Sequence, residues 1–129
     1  SPYKFKIDIP KEAVMVYADG DRMYRVFQNL IGNALKYSLE GSRIYISLKT
    51  EKNAAVADIR NTSRSELKQD VDFTARFTRG DESRTDGGSG LGLSIAKSFT
   101  EACGGTFEVE TMADLFTVKV SFEQKKCNV

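Results

Sequence analysis

A long amphipathic segment lies among shorter segments of alternating residues, and this order is the strongest constraint on the fold. From about Arg22 to about Ser38, apolar residues recur at helical spacing. They cover one broad face, which predicts a helix packed against a sheet or another helix. Asp19 is a candidate N-cap, and Gly41 is expected to end the helix. The apolar positions are Met23, Val26, Phe27, Leu30, Ile31, Ala34 and Leu35.

Segments in which apolar and polar residues alternate lie on both sides of this helix. They predict half-buried strands, because alternation places the apolar side chains on one face of a sheet. The third and fourth segments are joined by a polar turn and are expected to form a hairpin, as are the last two. The predicted strands are Tyr3–Pro10, Ala13–Tyr17, Arg43–Lys49, Ala54–Arg60, Thr106–Glu110 and Leu115–Phe122.

A second helix is expected from about Gly90 to about Cys103, where Gly104 and Gly105 stop it. Its predicted apolar face consists of Leu91, Ile95, Phe99 and Ala102. Strands at both ends with helices between them predict an α+β fold, most simply one sheet with helices on one face. The length of 129 residues suits one domain with one core.

The composition excludes several kinds of chemistry within this chain. It contains no histidine, so histidine acid–base catalysis, histidine metal ligation and phosphorylation of a histidine are excluded here. The net charge of +1 gives no long-range attraction toward nucleic acid. No apolar run approaches the roughly 18 residues needed to cross a membrane. Cys103 and Cys127 have no metal-ligand spacing and are expected to be reduced thiols.

Polar residues form a stripe along the first helix. Asn29, Asn33 and Lys36 fall at i, i+4 and i+7, with Tyr37 at the edge of the stripe. Asparagine costs roughly 0.5–0.7 kcal/mol relative to Ala inside a helix, so two on one stripe indicate a function. An amide oxygen suits Mg²⁺, and a lysine one turn further on suits phosphate oxygens. A solvated helix face is the alternative.

Glycine recurs at alternate positions immediately before the second helix, at Gly88, Gly90 and Gly92. Backbone amides in a glycine-rich turn at a helix N-terminus bind anions, and glycine lets the backbone approach phosphate closely. A flexible hinge before the helix is the alternative. The segment is not a Walker loop, since no Gly-Lys-Ser/Thr follows. It is not a Rossmann turn, since no strand leads directly into it.

The segment from about Arg64 to Ser89 mixes charges of both signs with Gly, Ser and Thr. Its apolar anchors are Leu67, Val71, Phe73 and Phe77. A stretch of this length with little regular pattern is typically a functional lid or a disordered linker. An ordered pattern resumes at once after it, which favours a lid within one domain.

Three motifs in order resemble those of sensor histidine kinases. Residues Gln28–Ser38 resemble the N box, Phe73–Asp81 the F box and Gly88–Leu93 the G2 box. The resemblance extends from about Asp19 to about Phe122. It implies the catalytic, ATP-binding domain of that family, which has the Bergerat fold shared with gyrase-type ATPases. This fold is a two-layer α/β sandwich with a mixed sheet covered by helices on one face, and with a mobile ATP lid.

The resemblance also implies roles for the residues that match these motifs. Asn33 is expected to coordinate Mg²⁺, and Asn29 to support the phosphates and the water shell of the metal. Lys36 is expected to contact phosphate, and Tyr37 to pack beside the adenine. Arg79 is expected to neutralise charge on the transferred phosphoryl group, which makes the catalytic set Asn29, Lys36 and Arg79. Backbone contacts to the phosphates are implied for Gly88, Gly90 and Gly92, with Leu91 lining the pocket.

The adenine end of the site departs from the family pattern. The G1 box of the family reads Asp-x-Gly-x-Gly, and its Asp accepts a hydrogen bond from the adenine amino group. Strand alternation puts Ile59 inside, so Asn61 takes the place of that Asp and Ser63 that of the first Gly. An amide oxygen accepts the same bond without charge, at an expected loss on the order of 1 kcal/mol. Asp58 serves instead only if the strand slips by one residue, which reverses its faces.

Three functions are compared on this basis. The first is a kinase domain that holds Mg-ATP and donates the γ-phosphate to a histidine on a separate dimerisation domain. The second is an ATP hydrolase or serine kinase of the same fold. Such relatives typically have Glu at the position of Asn29 as a general base, and asparagine cannot take a proton. The third is a degenerate domain that only binds a partner, supported by the altered residues Asn61 and Ser63.

The first function implies a set of partners. They are the histidine-containing dimerisation domain of the same protein and the receiver domain of a response regulator. No nucleic acid and no direct membrane contact are expected, and the isolated domain is expected to be a monomer. By analogy, residues 1–129 form a single domain of a longer protein, with the lid at about residues 64–89. The domain is expected in the cytoplasm, as part of a membrane-anchored sensor.

Overall fold

The part of the chain that the computed structural model describes covers residues 4–68, 71–75 and 92–124. Within these ranges the chain forms five strands and two helices. In chain order they are β1 (Lys4–Asp8), α1 (Gly20–Tyr37), β2 (Arg43–Glu51), β3 (Ala54–Thr62), α2 (Gly92–Ala102), β4 (Thr106–Met112) and β5 (Leu115–Glu123).

The strands form one mixed sheet in the order β1-β2-β3-β5-β4. β1 pairs with β2 in parallel, and the other three pairs are antiparallel. The predicted hairpins are confirmed as β2–β3 and β4–β5. Their turns place Lys52 and Ala113 at positive φ, 54° and 56°. The predicted α+β class with one mixed sheet is therefore confirmed.

The core lies between the two helices and one face of the sheet. α1 buries Val26, Leu30 and Ala34, and this surface belongs to the same apolar cluster as Ile59 and Val118 of the sheet. Burying a side chain of this size removes apolar surface from water and stabilises the fold by roughly 1.5–3 kcal/mol. Neither helix in the described ranges is long and apolar enough to span a membrane.

The start of α1 agrees with the sequence. The side chain of Asp19 accepts hydrogen bonds from the backbone N–H groups of Asp21 and Arg22, at 2.9 and 3.1 Å. These bonds satisfy two of the four donors that a helix N-terminus leaves without an intrahelical partner. The prediction of Asp19 as the N-cap is confirmed.

α1 ends at Tyr37, in agreement with the predicted end at about Ser38, and tertiary pairing rather than Gly41 stops the helix there. Ser38 is fully buried and forms an isolated antiparallel bridge with Ser63. The Ser38 hydroxyl also donates to the Ala34 carbonyl of the last turn. Gly41 does not end the helix; it has a φ of 86° in the turn that leads to β2.

The short strand predicted at Ala13–Tyr17 is wrong. In the described structure this segment belongs to no strand. Side-chain burial does alternate along the segment: Val14 and Val16 are partly buried, while Met15 and Tyr17 are exposed. An alternating pattern reports burial on one side of the chain, but it does not supply a partner strand.

The buried face of α2 is rotated from the predicted one. Leu93, Ala96 and Thr100 are buried, whereas Ala102, predicted on the apolar face, is exposed. The helix packs mainly against α1 and less against the sheet, so the side turned toward α1 is the buried one. Phe99 still packs against the core, and Leu91 lies outside the described residues.

Candidate functional site

The polar stripe of α1 lies in a partly enclosed position. Asn29, Asn33, Lys36 and Tyr37 are all partly buried, whereas Gln28 on the same helix is exposed. The Lys36 ammonium lies 5.6 Å from the centroid of the Tyr37 ring, a cation–π geometry. The stripe is therefore not a fully solvated helix face.

The amide nitrogen of Asn29 is the unusual group in this stripe. It is occluded from solvent and makes no hydrogen bond in the described structure. Leaving a buried donor without a partner costs roughly 1–3 kcal/mol, and native proteins rarely keep such groups without a reason. A ligand that brings an acceptor oxygen to this point would satisfy it.

The end of β3 brings a further asparagine, Asn61, to the helix-covered face of the sheet. Asn61 and Ile59 are each 3% exposed, as expected for residues two apart on one face of a strand. Asp58 lies on the opposite face, in register with Ser47 and Lys119. The predicted orientation of β3 is confirmed, because the strand has not slipped to turn Asp58 inward.

Hydrogen bonds hold the end of β3 against the end of α1. The Leu39 N–H donates to the Thr62 carbonyl at 2.8 Å, and the Arg64 N–H donates to the Tyr37 carbonyl at 3.0 Å. The Arg64 guanidinium donates to the Lys36 carbonyl at 2.5 Å. These bonds fix the β3 end that carries Asn61 beside the last turn of α1.

The role of Arg64 is a structural feature that the sequence did not suggest, because its bonds join residues distant in the chain. Replacing Arg64 by Ala removes the bond to the Lys36 carbonyl, and we expect a loss of about 1 kcal/mol in the free energy of unfolding. Urea unfolding measures it. Arg25, exposed on α1, gives the matched control, Arg25→Ala. We call the hydrogen bonds from Arg64 to the Lys36 and Tyr37 carbonyls the clamp. Equal losses of unfolding free energy in the two variants would contradict its stabilising role.

Aromatic packing supports the sheet next to Asn61. Phe116 of β5 is the register partner of Asn61 and is buried. The ring of Phe73 meets that of Phe116 edge to face, with centroids 5.2 Å apart and planes at 81°, a favourable arrangement. Phe73, the first aromatic residue of the F-box segment, therefore packs on the core.

Phe73 lies within a short turn. The Thr74 hydroxyl and the Thr74 N–H donate to the Asp72 carboxylate at 2.7 and 2.9 Å. These bonds, and to a lesser degree the nearby charge of Lys97, lower the pKa of the Asp72 carboxyl. The two hydrogen bonds from Thr74 therefore favour the ionised carboxyl group over the neutral acid.

A cavity of about 250 Å³ lies between this turn, α2 and β4. None of the predicted site residues in the described part of the chain is among its lining residues. The lining residues are Val71, Asp72, Phe73, Thr74, Lys97, Phe107, Val109 and Thr111.

The structure therefore brings five predicted site residues to neighbouring elements: Asn29, Asn33, Lys36 and Tyr37 on α1, and Asn61 on β3. Gly92 is the first residue of α2, and apart from its chain neighbours and its own helix backbone, no heavy atom of the described residues lies within 4 Å of the place a Cβ would take. Packing against the described residues does not require glycine there. The predicted residues Arg79, Gly88, Gly90 and Leu91 lie outside the described residues, as does Phe77. Their roles stay predictions.

Comparison with known families decides the class of this domain. A family model described as "Histidine kinase-, DNA gyrase B-, and HSP90-like ATPase" matches residues 18–125. The chain belongs to this family. Within the family it is similar to sensor protein KdpD of Clostridium acetobutylicum, with 36% identity over 110 residues, 82% of this chain and 12% of that protein. Sensor histidine kinase WalK of Bacillus subtilis is 36% identical over 107 residues, 79% of this chain and 18% of that protein.

Solved structures support the same fold. The mycobacterial sensor histidine kinase MprB superposes with a TM-score of 0.83 at 22% identity, covering 98% of this chain and 86% of that one. The catalytic domain of histidine kinase ThkA gives a TM-score of 0.81 at 21% identity, covering 95% and 80%. The predicted two-layer fold of this ATPase family is confirmed. The chain is a histidine kinase-type ATPase domain of the kind found in sensor kinases, and it spans less than a fifth of the two curated relatives above.

Proposed function

We propose that this ATPase domain binds Mg-ATP and donates the γ-phosphate to a histidine on a separate dimerisation domain. The observation that carries the proposal is the occluded, unpartnered amide nitrogen of Asn29, within a polar stripe that shares one face with Asn33 and Lys36. A donor and a cation beside an amide oxygen form a set that suits phosphate together with its metal ion. Membership of the ATPase family supports ATP as the ligand.

At the phosphate end of the site, each side chain of the stripe has a distinct task. Asn29 would donate its N–H to a phosphate oxygen. Asn33 would hold Mg²⁺ through its amide oxygen, and the bound ion would supply charge neutralisation to the phosphates. Lys36 adds a fixed positive charge one turn further on. Catalysis in this site consists of positioning and charge stabilisation, without a covalent intermediate on the protein.

At the base end of the site, Tyr37 packs against the adenine and Asn61 bonds to its edge. The clamp from Arg64 to the last turn of α1 keeps these two residues in a fixed relation. We extend the proposal to the glycine-rich segment, where Gly88, Gly90 and Gly92 give backbone contacts to the phosphates and Leu91 lines the pocket. Arg79 completes the catalytic set, by neutralising charge on the transferred group.

The acceptor lies outside this chain, because the chain has no histidine. The proposed acceptor is a histidine of the dimerisation domain of the same protein, and the next acceptor is the receiver domain of a response regulator. Asn29 argues against hydrolysis as the main reaction, since an amide cannot act as a general base toward water. We place the domain, residues 1–129, in the cytoplasm as part of a membrane-anchored sensor.

Phosphotransfer tests the proposal directly. The test uses the longer protein that contains the proposed dimerisation domain, incubated with Mg-ATP labelled at the γ-phosphate. The label is expected on histidine, and it should be lost in acid and kept in base. Replacing Asn29 by Ala is expected to lower the initial labelling rate by roughly tenfold or more, because a hydrogen bond to a charged group is lost. Gln28→Ala, a change at an exposed position of the same helix, is the control and should label at the parent rate.

Three results would contradict this function. One is label that survives acid, as on serine. Another is release of inorganic phosphate with no labelled protein, which would favour an ATP hydrolase. The third is a parent protein that binds no nucleotide, which would favour a domain that only binds a partner.

A further inference from the structure

The side chain of Asn61 has a combination of burial and hydrogen-bonding capacity that the proposed site does not yet explain. The residue is 3% exposed, and its amide is joined by no hydrogen bond to another residue of the described ranges. A buried amide has two donors and one acceptor to satisfy. Its own strand partner across the sheet, Phe116, offers no side-chain donor or acceptor. The amide of Asn61 is therefore available to water or to a bound ligand.

The position of Asn61 limits which part of a nucleotide can reach it. It lies on the helix-covered face of the sheet, at the strand end that Arg64 and Leu39 tie to the last turn of α1. The same turn carries Lys36 and Tyr37. In the proposed arrangement the phosphates lie at Asn29 and Asn33 and the base packs against Tyr37, so the base is the part of the nucleotide nearest Asn61.

An asparagine side chain at this point can form different hydrogen bonds with a base from those that a carboxylate can form. An ionised carboxylate only accepts hydrogen bonds, so it matches a 6-amino group and opposes a 6-oxo group. An amide presents an acceptor on one side and a donor on the other, and rotation by half a turn exchanges them. Asn61 can therefore accept from the 6-amino group of adenine or donate to the 6-oxo group of guanine or hypoxanthine.

We propose that Asn61 makes the base pocket of this chain tolerant of the group at C6, so that it binds both 6-amino and 6-oxo purine nucleotides. This inference rests on the proposed nucleotide-binding function. Restoring a carboxylate with Asn61→Asp narrows the site to adenine. A buried acceptor facing another acceptor leaves both unsatisfied, so discrimination against the 6-oxo base is expected to rise by about tenfold or more.

Calorimetry on the intact protein tests the inference with non-hydrolysable analogues of ATP and ITP in Mg²⁺. ITP is chosen because it differs from ATP only in having a 6-oxo group, with the ring proton that goes with it. We expect the parent dissociation constants for the two analogues to agree within about tenfold. In Asn61→Asp the ratio is expected to widen toward the ATP analogue. Asn53→Asp makes the same change in the exposed β2–β3 turn and should leave the ratio at the parent value.

A second measurement keeps the inference falsifiable if the buried charge of Asn61→Asp prevents folding. An analogue with hydrogen at C6 has neither a donor nor an acceptor at that position and so loses the hydrogen bond to Asn61, and the parent should bind it more weakly than either the ATP or the ITP analogue. The inference is overturned if the parent binds the ATP analogue but rejects ITP by the factor seen in Asn61→Asp. It is also overturned if ITP and the C6-hydrogen analogue bind the parent equally. A parent that binds none of the three overturns the proposed function itself.

Discussion

Replacing Asn33 by Ala is expected to abolish Mg²⁺-dependent nucleotide binding. The change removes the amide oxygen that we propose as the protein ligand of the metal, and methyl cannot replace it. Removing a residue that only hydrogen-bonds to a metal ligand lowers metal affinity by about 10–100-fold. Removing a direct ligand should therefore lower it at least as much. Calorimetric titration with ATP, in Mg²⁺ and again in chelator, measures the effect.

The metal dependence distinguishes this variant from a merely damaged protein. In chelator, the parent and Asn33→Ala should bind ATP with similar weak affinity, because the difference between them lies in the ion. Gln28→Ala should keep the parent response to Mg²⁺, since Gln28 is exposed on the same helix. If Asn33→Ala binds Mg-ATP as tightly as the parent does, the metal assignment is wrong.

Replacing Phe116 by Ala is expected to lower the free energy of unfolding by about 3–5 kcal/mol, the usual cost of truncating a buried phenylalanine. Phe116 is 6% exposed, and its ring supports that of Phe73, so the truncation leaves a cavity and also removes an aromatic pair. Since Phe116 is the register partner of Asn61, the floor of the site loosens at the same point. Urea unfolding monitored by circular dichroism measures the loss.

Met112 provides the matched control for this substitution. It lies on the same β4–β5 hairpin but is 68% exposed, so Met112→Ala should change stability by no more than about 0.5 kcal/mol. A Phe116→Ala loss as small as that of Met112→Ala would mean that the packing beside Asn61 does not hold the sheet together.

Local pattern predicted most of the fold. Helical periodicity found α1, and alternation found both hairpins, because these signals follow from burial of one face. The missed features depend on contacts between distant residues. α1 ends at Tyr37 because Ser38 pairs with Ser63, whereas the nearby Gly41 carries the stronger local signal. Ala102 was predicted on the buried face of α2 because it is apolar. It is exposed, because α2 turns another side toward α1.

The candidate site was predicted to the extent that motif and periodicity determine it. The spacing of Asn29, Asn33 and Lys36 places them on one stripe, and strand alternation turns Asn61 inward, as the structure shows. The clamp by Arg64 could not be predicted, since its acceptors are backbone carbonyls at the end of another element. No side-chain pattern reports which carbonyls a helix end leaves available.

The pairing of β3 with β5 links two units that are each local in sequence. The β2–β3 and β4–β5 hairpins each form over a short turn. Pairing β3 with β5 instead closes the long loop between Thr62 and Leu115, and the entropic cost of closing a loop grows with its length. Asn61 of β3 and Phe116 of β5 face each other across this strand pair, so neither hairpin alone contains the proposed base end of the site. On the proposed function, pairing of β3 with β5 and nucleotide binding are therefore thermodynamically linked. A ligand that binds only when the two strands are paired also stabilises their pairing.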